Sequence, residues 1–250
     1  MHILKCAAAV VLSLTLASTA NAARIAVVDA SGNTLANAAY SANMIEASST
    51  VSSITGAAMK AASAASLFAN YDAVVFSWSG SNYSTSIWNT LKSYVSMGGG
   101  VIFDGAQSAT GAFAGSGVTF FGPTTFSSGA QTVTDHLFVS EATIQGDNHH
   151  LNGLNGTTDW NSFLSFGTTK LGLYGSFGAG NVILTSTDFF YHSDTNAERA
   201  FLTEELNYVM NGAKAASAGA NVPEPTSITL LALGLLGLGA TRRKNHNKHA

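Results

Sequence analysis

The sequence predicts an α/β domain with a mostly parallel sheet and helices on both faces. Three observations predict it. Short, continuous apolar runs such as Arg24–Asp29 (RIAVVD), Asp72–Ser77 (DAVVFS) and Val101–Asp104 lack the in–out alternation of a half-exposed strand, so they suit strands covered on both sides. The stretches between them carry apolar residues at helical spacing. The two kinds of segment alternate along the chain, and short right-handed crossovers turn that alternation into a parallel sheet.

Each element follows in order. Arg24–Asp29 is the first strand. Residues 33–49 read as a helix with Leu35, Ala39, Ala42 and Ile45 on one face. Residues 51–55 form a second strand, the Ala-rich stretch 57–69 a helix, and 72–77 a third strand. Ser84 is a suitable N-cap for a helix over 85–97, whose buried stripe is Ile87, Leu91 and Tyr94 or Val95, with Trp88 packed on the sheet. Gly98–Gly100 ends it and 101–104 follows as a strand. Residues 105–165 are rich in Gly, Ser and Thr and read as an irregular insertion with short strands near 118–121 and 131–133. Strands return at 170–174 and 182–186. A last helix spans 196–210, with Thr195 and Glu198 as a capping box, Leu202, Leu206 and Val209 toward the core, and Gly212 at its end.

Only 10% of the residues are charged, against about 25% in ordinary domains. The formal net charge is −3, and the ends are basic, so the body between them is more acidic still. No basic cluster remains there to neutralise phosphates, which excludes nucleic acid as a partner. The one cysteine, Cys6, lies near the N-terminus. The body therefore has no thiolate chemistry and no disulfide.

The ends read as address labels. Residues 1–22 combine Lys5, an apolar stretch over 7–17 and the small-residue site Ala20-Asn21-Ala22, as a secretory signal peptide does. The α/β domain then occupies 23–213 and a small-residue linker 214–221. The tail, 222–250, has Pro223-Glu224-Pro225, an apolar run over 228–240, then Arg242, Arg243 and Lys244. The prolines hold the motif extended. The apolar run is shorter than the ~20 residues of a spanning helix, and the basic stop favours the cytoplasmic side.

This tail resembles the PEP-CTERM sorting signal of Gram-negative bacteria. The resemblance implies recognition by an exosortase, membrane contact through the apolar segment before processing, and a destination at the cell surface, the outer membrane or the extracellular matrix. The body resembles the class I glutamine amidotransferase-like superfamily, a flavodoxin-like fold, over 71–80, 91–105 and 181–212. Active members place a cysteine at the turn that here reads Asp104-Gly105-Ala106, so the amidotransferase activity does not carry over.

Other chemistry is sparse. Asp29, Asp104 and Asp188 stand at predicted strand ends with His192 nearby. Ligands of open α/β sheets bind there, so a hard-cation site or an acid–base pair is one reading. Capping of turns by the same side chains is the plainer one. Asp147, His149 and His150 suit a metal by type, but neighbours on an extended segment point to opposite sides. That stretch also resembles a structural turn of some relatives. Ser77, Ser79 and Ser108 lack a nucleophile elbow, and Gly98–Gly100 lacks the Lys and Ser/Thr of a phosphate loop. Trp78 and Tyr83 are candidates for a sugar platform. No cofactor is expected. The expected function is an exported, exosortase-sorted, non-enzymatic protein, with exopolysaccharide as a further partner. The alternatives are a hydrolase or metal-dependent enzyme using the strand-end carboxylates, and a carbohydrate- or ligand-binding module.

Overall fold

The computed structural model describes residues 22–29, 49–76, 86–106, 115–121, 127–135, 143–144, 149–150, 152–187 and 196–211. Strands β1 (Arg24–Asp29), β2 (Thr50–Thr55), β3 (Ala73–Phe76) and β4 (Gly100–Phe103) come first. Between them lie helices α1 (Gly56–Ala61), α2 (Ala64–Asn70) and α3 (Ser86–Ser96). Then follow β5 (Val118–Phe121), β6 (Ser127–Ser128), β7 (Gln131–Val133), β8 (Thr143–Ile144) and β9 (His149–His150). The series closes with β10 (Gly153–Gly156), β11 (Asn161–Phe166), β12 (Thr169–Phe177), β13 (Gly180–Thr185) and helix α4 (Asn196–Met210).

The main sheet has nine strands in the order β2-β1-β3-β4-β13-β12-β11-β7-β8. From β2 to β13 every pairing is parallel. This is the 2-1-3-4-5 order of flavodoxin-like folds, with β13 as the fifth strand. From β13 to β8 every pairing is antiparallel. The insertion is therefore only partly separate. β7, β8 and β11 extend the main sheet, while β5–β10 and β6–β9 form two small ribbons.

The apolar runs do what the sequence predicts. Ile25–Val28, Ala73–Phe76 and Val101–Phe103 are fully buried, because helices cover both faces. On one face Ala26, Val28, Val74, Phe76, Val101 and Phe103 pack with Met59 of α1, Leu67 of α2, and Ile87, Trp88, Leu91 and Val95 of α3. On the other, Ile25, Val27, Val75, Ile102 and Ile183 pack with Phe201, Leu202, Leu206 and Val209 of α4. Trp88 is 1% exposed and rests in an aromatic group with Trp160 and Phe177. Where α3 meets the sheet, glycine is required. A Cβ on Gly180 would lie 2.3 Å from the carbonyl oxygens of Gly99 and Val95, and backbone cannot step aside.

Some expectations need correction. The single helix over 57–69 is two. Ala62 is extended, and the Ser63 hydroxyl accepts the Ser66 N–H at 3.1 Å to start α2. β12 runs on to Phe177, and β10 and β11 are additional strands. The helix over 33–49, the Ser84 and Thr195–Glu198 caps and Gly212 lie outside the described residues and side chains.

Candidate functional site

The carboxyl ends of β2, β1, β3, β4 and β13 form one edge of the sheet. Asp104 leaves β4 at that edge and is 1% exposed. The chain turns sharply there because Gly105 takes a positive φ of 64°, which glycine adopts without a Cβ clash. The turn is tied to the end of β13 on both sides. The Gly105 N–H donates to the Thr187 carbonyl at 2.9 Å and the Ala106 N–H to the Thr185 carbonyl at 2.8 Å. The Thr185 hydroxyl sits between three acceptors, Thr187 O at 3.0 Å, Asp104 Oδ1 at 3.1 Å and Phe103 O at 3.4 Å. Thr187 Oγ1 donates to Gln131 Oε1 at 2.8 Å, which links the turn to β7.

The result is a buried polar knot of Asp104, Thr185, Thr187 and Gln131. Its chemistry is that of a lock. The two backbone N–H groups that could stabilise a developing oxyanion already donate to carbonyls. Asp104 accepts from a hydroxyl and is closed to solvent. Sequence reading found Asp104 but not its partners, because a Thr-Ser-Thr run after a strand looks like an ordinary linker. β13 carries the signal: Thr185 and Thr187 share a face by strand alternation.

The other candidates fall differently. Asp29 ends β1, and β3 lies between β1 and β4, so the Asp29 and Asp104 backbones stand about 10 Å apart at two strand spacings. Asp188, His192, Asp147, Trp78, Tyr83, Ser77, Ser79 and Ser108 lie outside the described residues. His149 and His150 form β9, paired with Ser128 and Ser127, and their side chains also lie outside the description. No group of three or more His, Cys, Asp or Glu among the described residues could hold a metal ion.

A second ionisable group is buried away from this edge. Glu205 of α4 is 1% exposed, and its Oε1 has no hydrogen-bond partner. Burial pushes its carboxyl well above the ordinary value of 4.5, because desolvation disfavours the charged form. The helix is fixed at its other end, where Asn181 Nδ2 donates to the Tyr208 carbonyl at 2.9 Å. That puts Glu205 about one turn back along α4, over an apolar part of the sheet rather than in the polar knot.

Residues 221–244 match the family described as the PEP-CTERM protein-sorting motif. The tail is a PEP-CTERM sorting signal. Pro223, Glu224, Pro225, Arg242, Arg243 and Lys244 all fall within the matched segment, though outside the described residues. The PEP-CTERM signal makes this an exported chain that is sorted by an exosortase toward the surface or exterior of a Gram-negative bacterium. No helix among the described residues is long and apolar enough to cross a membrane.

No curated protein is detectably similar to the PEP-CTERM chain in sequence. Solved structures are similar in fold. A GMP synthase component from Thermoplasma acidophilum superposes with a TM-score of 0.58 at 12% identity, over 80% of this chain and 99% of that one. Two cytoplasmic proteins of Salmonella typhimurium superpose at 13% identity. One has a TM-score of 0.55 over 75% of this chain and 98% of its own. The other, from strain LT2, has 0.53 over 74% and 99%. These likenesses show the shared α/β fold.

Proposed function

We propose that the PEP-CTERM chain is a non-enzymatic surface or matrix protein, with an α/β body over 23–213 that serves as a stable, weakly charged module. The observation that carries this is the closed turn after β4. The two N–H groups of that turn are committed to β13, and Asp104 is buried and bonded to Thr185. A hydroxyl- and amide-rich composition with 10% charged residues suits contact with neutral exopolysaccharide. The hydrolase reading loses support from the separation of Asp29 and Asp104. The binding-module reading keeps one specific observation. The strand order reverses between β1 and β3, and ligands of this fold bind at that switch point, where Asp29 ends β1.

The closed turn is tested with Asp104→Asn. The amide keeps an acceptor for the Thr185 hydroxyl, so the variant should lose about 1 kcal/mol of stability. Thermal unfolding should be insensitive to calcium or magnesium in both proteins. A cation-dependent rise in Tm that vanishes in the variant would instead establish a metal site through mass action.

Sorting is tested by intact mass. Material recovered from the cell exterior should lack residues 1–22 and the Arg242–Lys244 stop. Recovery of chains that keep the stop would refute processing at the PEP-CTERM signal.

A further inference from the structure

We propose that the Arg24–Asp72 clamp sets leader removal and folding in competition, so that the bond after Ala22 is cut only before β1 docks. The proposal rests on reading residues 1–22 as a leader. That reading ends one residue from the clamp.

Ala22 is exposed, but the chain is committed from the next residue on. The Ala23 carbonyl accepts the Thr50 N–H at 2.7 Å. The Arg24 N–H donates to Asp72 Oδ2 at 2.8 Å, and the Arg24 carbonyl accepts the Asp72 N–H at 2.7 Å. The guanidinium closes on the same carboxylate. Nη2 lies 3.0 Å from Oδ1 and Nε 3.4 Å from Oδ2, while Nη1 donates to the Ala69 carbonyl at 2.7 Å. From Ile25 to Val28 every residue is fully buried, with β2 on one side and β3 on the other.

A peptidase takes its substrate as an extended segment whose main-chain groups are free on both sides of the scissile bond. On the distal side of the Ala22–Ala23 bond those groups are already in use. Freeing Ala23 to Ile25 means stripping β1 from both neighbours, which opens the centre of the sheet. Cutting of the folded chain then proceeds only through its open population. For a domain of ordinary stability that population slows the reaction on the order of a thousandfold or more. A precursor that folds with its leader attached is thereby shut out of processing, and a precursor held unfolded is not.

The test uses the full chain, leader included, with purified leader peptidase in detergent. One sample is cut immediately on dilution from urea. Another is first refolded, with its tryptophan near-ultraviolet circular dichroism confirming packing. The unfolded chain should be cut between Ala22 and Ala23, and the refolded chain about a thousandfold more slowly. A variant with a six-residue Gly/Ser spacer between Ala22 and Ala23 should be cut at comparable rates in both states. Equal rates for the refolded and unfolded wild-type chain would overturn the clamp. So would a refolded spacer variant that stays resistant. Absence of cutting at this bond even in the unfolded chain would overturn the leader reading instead.

Discussion

Replacing Glu205 with methionine is expected to stabilise the domain by about 2 kcal/mol or more at neutral pH, because it removes a buried polar group with an unsatisfied oxygen. The wild-type carboxyl sits between Leu202 and Leu206 on the buried stripe of α4, and burial raises its pKa in the folded chain. The sign of the pH effect follows. Below the unfolded value near 4.5 the group is protonated in both states and costs least. Above it, the unfolded chain releases a proton that the folded chain retains, so stability falls by about 1.4 kcal/mol per pH unit. The fall continues until pH passes the raised folded value. Urea unfolding at pH 5, 7 and 9 should therefore show a gap between Glu205→Met and wild type that widens with pH. A constant gap would mean that the carboxyl is ionised in the fold and satisfied by water.

Trp88→Ala is the second large effect, this time a loss of about 3–5 kcal/mol. Trp88 is 1% exposed, with ring centroids 6.0 Å from Trp160 and 5.7 Å from Phe177. Alanine would leave a cavity under α3 that these fixed neighbours cannot fill. Trp88→Phe separates ring volume from the indole N–H. Nε1 is buried without a partner, so phenylalanine gives up no hydrogen bond and should cost less than about 1.5 kcal/mol. Urea midpoints for the two variants measure the difference. Similar losses for both would mean that the indole makes an interaction beyond packing.

The fold was legible where a segment's own pattern decides its state. Ile25–Val28 and Ala73–Phe76 can hardly be anything but strands buried on both faces. Gln131–Val133 and Val118–Phe121 were bounded by clear turn residues. β11 and the far half of β12 were not legible, because Ser162, Gly172, Gly175 and Ser176 break the apolar rhythm, and the pairing of β11 with β12 contains register shifts. Their order comes from neighbouring strands. The break between α1 and α2 was hidden in a run of alanines and is set by one serine cap. At the site, Asp104 was visible as the residue where a cysteine stands in active relatives. Its partner Thr185 belongs to a strand far along the chain, a pairing that local pattern does not encode. Glu205 could have been found: it lies three residues after Leu202 and four before Val209, on the stripe already assigned to the core.

The place of β13 in the sheet has a consequence for timing. Val101 of β4 pairs with Val182 of β13, so the sheet's middle joins residues from opposite ends of the body. Such non-local closure raises contact order and slows folding. As the chain emerges N-terminus first, β4 remains an unpaired edge until residues 180–185 arrive, and the face later covered by α4 stays open longer still. Only a short stretch separates Met210, the end of α4, from the matched tail beginning at residue 221. Completion of the core and arrival of the sorting signal thus fall close together, and most of the transit is made by a chain that has not yet closed.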